Sequence, residues 1–564
     1  MPSRVLGLSA HYHDAAACLM QEGRLTAAAH EERFTRRKSD AELPLRALNY
    51  CLQEGGITAP DLDAAVFYEK PFLKFARVLI GHLRSFPRSY PSFRRALPRW
   101  LQDRLSLPLT LKSELGFSGR TYFVKHHLAH AAAAFLPSGF TEAAILTADA
   151  VGEWATLTRG RGSGSRIRVE SEMCFPDSLG LLYTAVTTFL GFAAQEGEGT
   201  VMGLAAYGKP AYLDRFRAIA AARPDGSFAL DQSYFDFYGE ERMYTPRFVE
   251  AFGRPYAPKA EMDQRACDIA ASLQALTEEI LLALARDLRQ RTKLDDLCLG
   301  GGVFLNCVAN QRILEESGFK RIFVQPAAGD AGGAMGAAAF VSHCLWGLPR
   351  GGPLSPYLGP AFPASRCRRA LAAAGLTFRE LPEEKLCRET AKMLTEGLVV
   401  GWVQGRMEVG PRALGNRTIL GDPRNPQMKR FLNDRVKHRE EFRPFAPAVL
   451  AEEAADYFEL DSPSPFMLLA PRVRPQKRAA IPAVTHEDGT ARVQTVAEAE
   501  NPRFYRLIKA FRELTGVPMV VNTSFNRRGE PIVCTPEDAV AVFKATAMDA
   551  LVVGEFVARR EEHA

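Results

Sequence analysis

Near its start the chain places apolar residues in short extended runs. Arg4 to Ser9 and Ala15 to Met20 have the length and content of buried strands, Gln21-Glu-Gly-Arg24 is a turn, and Leu25 to His30 is a third strand. A β-meander is therefore expected, with His11, His13 and Asp14 in the connection between its first two strands. The same order returns later. Ala143 to Asp149 is a strand ending in an acid, Glu153 to Thr158 a second strand, Arg159 to Arg166 a Gly/Ser/Arg turn, and the chain through Glu172 a third strand. A repeat of about 135 residues is too long for a solenoid and predicts two related lobes.

Two lobes that each carry a loop after their first strand are how actin-like and sugar-kinase-like ATP-binding folds build a phosphate cleft, and Asp14 and Asp149 would face each other across it. The alternative is two unrelated hairpins with solvent-facing aspartates. Further along, helical spacing runs from Arg265 to Arg291. A buried strand, Leu294 to Leu299, ends in Gly300-Gly301-Gly302 and opens a helix, Phe304 to Glu316, with Asn306 in its first turn. Arg321 to Gln325 is another strand, followed by Asp330 at the start of a glycine- and alanine-rich helix. Pro/Gly density from Leu348 to Pro363 marks a linker. A second αβ region then follows: helix Glu384 to Thr395, strand Leu398 to Gln404, a loop-rich stretch to Phe445, a hairpin turn at Glu487-Asp-Gly-Thr490, a strand Val517 to Val521, and a helix capped by Thr535. The expected class is α/β with mixed α+β character, divided into residues 1–350, a linker at 351–380, and 381–564.

A length of 564 residues exceeds what one core can serve, in keeping with that division. The net charge of +6 is mild for this length, so local clusters must carry any argument for a charged partner. The ten cysteines are scattered without a Cys-x-x-Cys pair, which suits reduced thiols and a cytoplasmic protein. A His-His-Asp cluster interrupts the N-terminus too early for a signal sequence, and no apolar run reaches membrane-spanning length.

Three of the 11 histidines fall within His126-His127-Leu-Ala-His130, on a run of alanines that favours helix. Residues four apart share a helix face, so His126 and His130 can address one ion; the alternative is a pair of capping or core histidines. Gln195 to Lys209, with Gly199 and Gly203, reads as a glycine-rich loop whose amides could approach phosphate. Gly301, Gly302 and Asn306, where a strand's end opens a helix, put backbone N–H groups where a nucleotide can sit. Asp330, at another helix start, could reach a bound cation. Residues 401 to 450 hold ten Lys/Arg against five Asp/Glu, mostly in loops, which is the pattern of an anion pocket. Phe72 to Arg104 carries eight Lys/Arg among aromatics. It reads as a solvated helical insertion, with a nucleic-acid or phospholipid surface as the alternative.

Eight motifs in order resemble the O-carbamoyltransferase family, whose members include the nodulation-factor enzyme and those of several antibiotic biosyntheses. They are Gly7 to Asp14 with its alanines, Glu31-Glu-Arg-Phe-Thr-Arg-Arg-Lys38, His126-His-Leu-Ala-His130, Val201-Met-Gly-Leu-Ala-Ala-Tyr-Gly208, Gly300 to Asn306, Gly405 to Arg417, Arg492-Val-Gln-Thr-Val496 and Asn522-Thr-Ser-Phe-Asn526. The resemblance implies an N-terminal domain like the threonylcarbamoyladenosine transferase joined to a YrdC-like C-terminal domain. It implies that carbamoyl phosphate and ATP, accompanied by Mg2+, give carbamoyl-adenylate in the C-terminal domain, and that the carbamoyl group then passes to a hydroxyl of a small-molecule acceptor. By the same resemblance His126, His130, Asp149 and Asp330 are metal ligands, iron(II) being the expected ion with manganese or zinc also compatible. His13 is the essential histidine, assigned as base beside Asp14, and Lys38 meets a phosphate or the adenylate. Arg412, Lys437, Arg443, Arg492, Asn522 and Ser524 form the carbamoyl-phosphate pocket, and a homodimer is implied. The chain departs from the family at Thr200, where lysine is usual.

Two rivals stay open on the sequence. One is a threonylcarbamoyl transferase acting on tRNA with the basic insertion as its grip, although the fused architecture argues against a nucleic-acid partner. The other is an ATP-binding sensor without catalysis.

Overall fold

The computed structural model describes residues 2–87, 89–100, 105–238 and 242–560. It divides into two compact units. The first takes the residues up to Glu31 and Ala41–Leu354; the second takes Glu32–Asp40 and the residues from Ser355 onward.

In the first unit, strands β1 (Arg4–Ser9), β2 (Ala16–Gln21), β3 (Arg24–His30), β4 (Ala64–Phe67) and β5 (Arg120–Phe123) form a sheet in the order β3-β2-β1-β4-β5. β1 is buried from Val5 through Ser9, the mark of a strand covered on both faces. A second sheet holds β6 (Glu142–Ala148), β7 (Ala155–Ser163) and β8 (Arg166–Cys174). A small hairpin of β9 (Ala220–Ala222) and β10 (Phe228–Leu230) intervenes in the chain before β11 (Asp296–Gly300) and β12 (Arg321–Val324) complete the sheet. Its order, β8-β7-β6-β11-β12, repeats the first sheet strand for strand: an antiparallel meander, then two parallel neighbours. The doubled topology is that of the actin-like, sugar-kinase-like class, and the overall class is mixed α/β as expected.

Equivalent helices follow the last strand of each sheet: His126–Phe135 after β5 and Asp330–Ala339 after β12. Alanine and glycine dominate both, and this lets their backbones approach. A Cβ added at Gly336 would lie 1.9 Å from the carbonyl oxygen of Ala129 and 2.6 Å from the amide nitrogen of Ala133. Gly336→Ala tests that contact. Helix propensity alone would favour alanine by up to about 1 kcal/mol, but a clash with rigid backbone costs about 1–3 kcal/mol. A lower melting temperature is therefore expected; an unchanged or raised one would contradict the packing.

In the second unit eight strands form one sheet: β13 (Phe378–Glu380), β14 (Val400–Val403), β15 (Arg417–Gly421), β16 (Ala446–Leu450), β17 (Gln494–Val496), β18 (Met519–Ser524), β19 (Ala550–Val553) and β20 (Phe556–Arg559). Their order is β13-β20-β19-β14-β15-β18-β16-β17, parallel only at β14/β19 and β16/β17. Helices Glu383–Thr395 and Pro502–Thr515 pack together, and Thr535 with Asp538 caps Pro536–Lys544 through a capping box.

Three expectations are corrected. The stretch from Gln195 is not an open glycine loop, because Glu198–Ala205 is helical and places Gly199 and Gly203 inside the helix. The Glu198 carboxylate accepts from the amide of Gln195 and the hydroxyl of Thr184, which stabilises that start. The Phe304 to Glu316 helix begins at Cys307, after a 3-10 turn, since the Asn306 side chain caps the amide of Ala309. The 487–490 turn closes on itself, with the amide of His486 bonded to the carbonyl of Thr490. It forms no hairpin, because β17 pairs in parallel with β16. Of the basic insertion, Pro71–Arg84 and Tyr90–Arg99 are helices as expected, while Arg88 and residues 101–104, with Arg104, lie outside the described residues. Lys74 turns inward to an ion pair with buried Glu69, and Arg77 lies over the ring of Phe175, so this is not one basic face. Among the described residues, no helix is long and apolar enough to cross a membrane, and all ten cysteines are unpaired thiols.

Candidate functional site

The histidine helix begins where the Glu153 carboxylate receives the amide of His126 at 3.0 and 3.2 Å and that of Lys70 at 2.8 Å. An acid at a helix start satisfies unpaired donors and complements the helix dipole. One turn apart on that helix, the Nε2 atoms of His126 and His130 lie 3.1 Å from each other. Asp149 follows β6, its lobe's counterpart of Asp14, and its Oδ2 lies 2.9 Å from His130 Nε2 and 3.5 Å from His126 Nε2. Asp330 closes the group from the start of the opposing helix, with Oδ1 at 3.6 and 3.8 Å from those nitrogens. One donor atom from each of the four residues thus falls within 4.8 Å of the others.

The electrostatics are those of a cation site. Burial opposes charge on Asp330, yet His13 and then the two helix imidazoles hold its carboxyl down to about 2. Asp149 is also held low, against burial, by His126 and His130. Burial likewise opposes protonation of His130, but Asp149 and Asp330 raise it to about 9. Two imidazoles and two carboxylates gathered this closely in a buried place fit a divalent metal. The set suits iron, manganese or zinc. His127 stands apart: its Nδ1 is 2.7 Å from the Thr147 hydroxyl, and burial keeps it neutral.

His13 sits at the rim. Its Nδ1 is 3.0 Å from Asp14 Oδ2 and its Nε2 is 3.8 Å from Asp330 Oδ2. Although burial acts the other way, Asp330 and Asp14 raise it to about 9. His11 and Asp14 both take left-handed backbone, φ 68° and 52°, in the loop that aims this ring. Lys38 is exposed, on the segment that belongs to the second unit. Two residues that the sequence did not single out complete the group. The Tyr68 hydroxyl donates to Asp330 Oδ2 at 3.1 Å, and Glu153 anchors the helix. Both act through tertiary contact, which no local pattern announces.

Gly301 has φ 98°, and a Cβ there would meet the carbonyl of Ala148 at 2.2 Å, so β6 and the turn after β11 touch through it. A Cβ on Gly302 would be 3.2 Å from Asp149 Oδ1, which puts this turn beside the four-residue cluster. Asn306 is engaged with Gln274 at 2.8 Å as well as with its helix cap. Nothing lies within 4 Å of the corresponding position on Gly199.

The second unit collects cations. Its Gly405-to-Arg417 run winds around buried Glu408, whose Oε1 accepts from the amides of Leu414, Asn416 and Arg417. Buried Arg417 pins the loop to carbonyls of Gln404, Pro360 and Cys534 and so is structural, whereas Arg412 is only half-buried. Lys437 is buried and reaches Ser524 Oγ at 3.2 Å and Asn526 Oδ1 at 2.7 Å. Burial, then Arg439 and Arg443, push its ammonium well below the usual lysine range. Arg439 is held low by burial, Arg443 and Arg492, while its Nε donates to Asn433 at 2.8 Å. Burial also lowers Arg443, and Arg492 adds to that. Asn522 is tied to the protein: both its N–H groups donate, to Ala413 O at 3.1 Å and Gln494 Oε1 at 2.8 Å, and its oxygen accepts from Thr418. Arg439 was not singled out in the sequence, although it lies in the Lys437-to-Phe445 run.

Crowded, desolvated cations of this kind call for an anion. An arriving phosphate raises the pKa of Lys437, so binding should take up protons at a pH between its lowered value and the ordinary 10.5. Calorimetric titration with inorganic phosphate in buffers of differing ionisation heat should show net uptake; heats that do not vary with buffer would refute it.

Comparison with known proteins supplies the relatives. A family model described as Carbamoyltransferase N-terminus matches residues 4–339, and one described as Carbamoyltransferase C-terminus matches 391–560. The chain is 45% identical to "Uncharacterized protein sll1178" of Synechocystis sp., over 98% of this chain and 96% of that protein. It is 39% identical to "Nodulation protein NolNO" of Sinorhizobium fredii, over 97% and 79%. With the "3'-hydroxymethylcephem-O-carbamoyltransferase" of Amycolatopsis lactamdurans it shares 36% identity over 54% of this chain and 56% of that one. Among solved structures, the crystal structure of T.kodakarensis HypF aligns with 62% of this chain and 49% of its own at a TM-score of 0.32 and 12% identity, a slight likeness.

Proposed function

Because this chain belongs to the carbamoyltransferase family, we propose that it is an ATP-dependent O-carbamoyltransferase that makes carbamoyl-adenylate in its second unit and carbamoylates a hydroxyl of a small molecule in its first. That it is a carbamoyltransferase follows from the family. The mechanism is our reading, and the observation that supports it most is the convergence of His126, His130, Asp149 and Asp330 with His13 at their edge.

In the second unit, Arg412, Lys437, Arg443 and Arg492 neutralise carbamoyl phosphate; the planar forks of the three arginines hold its phosphate oxygens, and the Lys437 ammonium adds a point charge. The balance of atoms needs one water. Cleavage of the carbamoyl–phosphate bond gives carbamate and phosphate, and a carbamate oxygen then attacks the α-phosphorus of ATP and expels pyrophosphate.

In the first unit, Asp14 holds His13 Nδ1 and leaves Nε2 to take the proton of the acceptor hydroxyl as its oxygen attacks the carbamoyl carbon and AMP departs. Such a base is worth about 10²- to 10⁴-fold. A divalent cation, iron(II) in our assignment, held by His126, His130, Asp149 and Asp330 would supply Lewis acidity at the carbamoyl oxygen and offset the carboxylate charge that favours a proton on His13. The turn at Gly301 and Gly302 presents backbone to the adenylate.

Pyrophosphate release from ATP tests this directly. Release that depends on carbamoyl phosphate is expected. Release with threonine and bicarbonate instead would favour the threonylcarbamoyl reading, and none under either condition would favour a sensor. Mass spectrometry of hydroxylated natural products for a carbamoyl adduct then identifies the acceptor.

A further inference from the structure

The second unit offers a phosphate many donors. A carbamoyl group poses the opposite demand, since its amine brings two N–H donors and needs an acceptor. Around the cations most acceptors are already used. Asn522 Oδ1 accepts from Thr418, Gln494 Oε1 from Asn522 at 2.8 Å, and Asn526 Oδ1 from Lys437 and Ser524, each at 2.7 Å.

His486 is different. Its Nδ1 lies 3.0 Å from the Thr490 hydroxyl, which itself sits 2.7 Å from Asp488 Oδ1 and donates to it. A carboxylate can only accept, so the single Thr490 proton goes to Asp488 and its oxygen must accept from His486. The chain Asp488–Thr490–His486 therefore fixes the ring with its proton on Nδ1 and a lone pair on Nε2. That Nε2 is buried and has no hydrogen-bond partner. Burial, opposed by Asp488 and helped by Arg492 and Lys429, holds the ring near 4, so it is neutral under ordinary conditions.

The bond of His486 to Thr490 sets the ring beside the segment that carries Arg492. Residues 490 to 493 bridge to 472 and 469, so Thr490, Arg492 and Gln494 alternate on one side of an extended segment while Ala491 and Val493 are buried on the other. Gln494 joins Asn522, and Asn522 joins the carbonyl of Ala413, beside Arg412.

Resting on the proposed reading of this unit, we propose that His486 Nε2 accepts a hydrogen bond from the carbamoyl amine and is the residue that selects carbamoyl phosphate over acyl phosphates of the same shape. Acetyl phosphate, which has a methyl group in place of the amine, is the probe. It leaves the lone pair buried and unanswered, and sites built around such a bond discriminate strongly.

The test uses the full chain, measuring binding of carbamoyl phosphate and of acetyl phosphate by calorimetry. His486→Leu is expected to weaken carbamoyl phosphate about 10- to 100-fold and leave acetyl phosphate unchanged. His486→Gln, whose amide oxygen can accept, should keep part of the preference. If the leucine variant melts early, His486→Met, which fills the space more flexibly, takes its place. Equal weakening of both ligands, or a preference that survives, would overturn the assignment. So would its loss in Glu408→Gln alone, since Glu408 Oε2 is another buried acceptor without a partner. If the unsubstituted protein bound neither ligand, the reading of the whole unit would fail, and that outcome is recognisable because there would be no preference to lose.

Discussion

His126→Ala, or His130→Ala, should strip the metal and abolish carbamoylation of the acceptor while pyrophosphate release from ATP and carbamoyl phosphate keeps its rate. The size of the effect follows from the donor count. Structural zinc sites with four ligands bind with about 10–16 kcal/mol, or roughly 3 kcal/mol per ligand, so losing one costs about 10²-fold in affinity or more. The loss is larger in activity, because the two remaining carboxylates would then be buried beside one imidazole and His13. Asp330 already depends on those imidazoles to stay ionised against burial, so removing one lets a proton compete with the metal. Elemental analysis of the purified variants and the two half-reactions measured separately would check this. Metal content unchanged, or both half-reactions lost with the fold intact, would refute the division of labour.

Arg443→Ala should do the reverse, cutting pyrophosphate release that depends on carbamoyl phosphate by about 10²-fold and leaving metal content alone. Two effects compete. Each charge-assisted bond from the guanidinium to phosphate is worth about 1.5–3 kcal/mol. Against that, Arg443 lowers the charge on Lys437 by repulsion, so its removal lets that lysine hold its proton more firmly. The bonds win, because the lysine's lowering comes first from its own burial, which the substitution leaves in place. A variant with undiminished release would show that the phosphate binds elsewhere.

How much of this could be read beforehand depends on the range of the interactions. The opening meander and the His126–Phe135 helix were legible because their signals are local: strands buried on both faces, Gly23 at φ 77° in the turn, and an alanine run behind a histidine pair. The repeat, too, was visible in order and spacing, and the two matching sheets bear it out. What escaped depends on partners far away in sequence. β17 pairs with β16 across more than forty residues, so the turn at 487–490 looked like a hairpin. Glycine density from Gln195 suggested a loop, but a helix starts at Glu198, whose carboxylate ties its first turn to the Gln195 amide and to the distant Thr184 hydroxyl. Composition marked the cationic region yet could not separate Arg417, spent on backbone carbonyls, from Arg412. Nor could it show that Asn522 bonds to protein partners, or that Tyr68 and Glu153 support the cluster of His126, His130, Asp149 and Asp330.

The nine residues from Glu32 to Asp40 belong with the second unit although hundreds of positions separate them from the rest of it. Phe34 packs with Met407, Ala413, Ile532 and Cys534, and the Arg36 guanidinium holds the carbonyls of Pro531 and Ile532 at 2.9 and 2.6 Å. During synthesis this peptide is made long before the partners it packs against, which lie at 407 to 534. A fragment starting at Ser355 would be born with a groove that a synthetic 32–40 peptide should fill, and chimeras that exchange tails between relatives would have to exchange two pieces of chain.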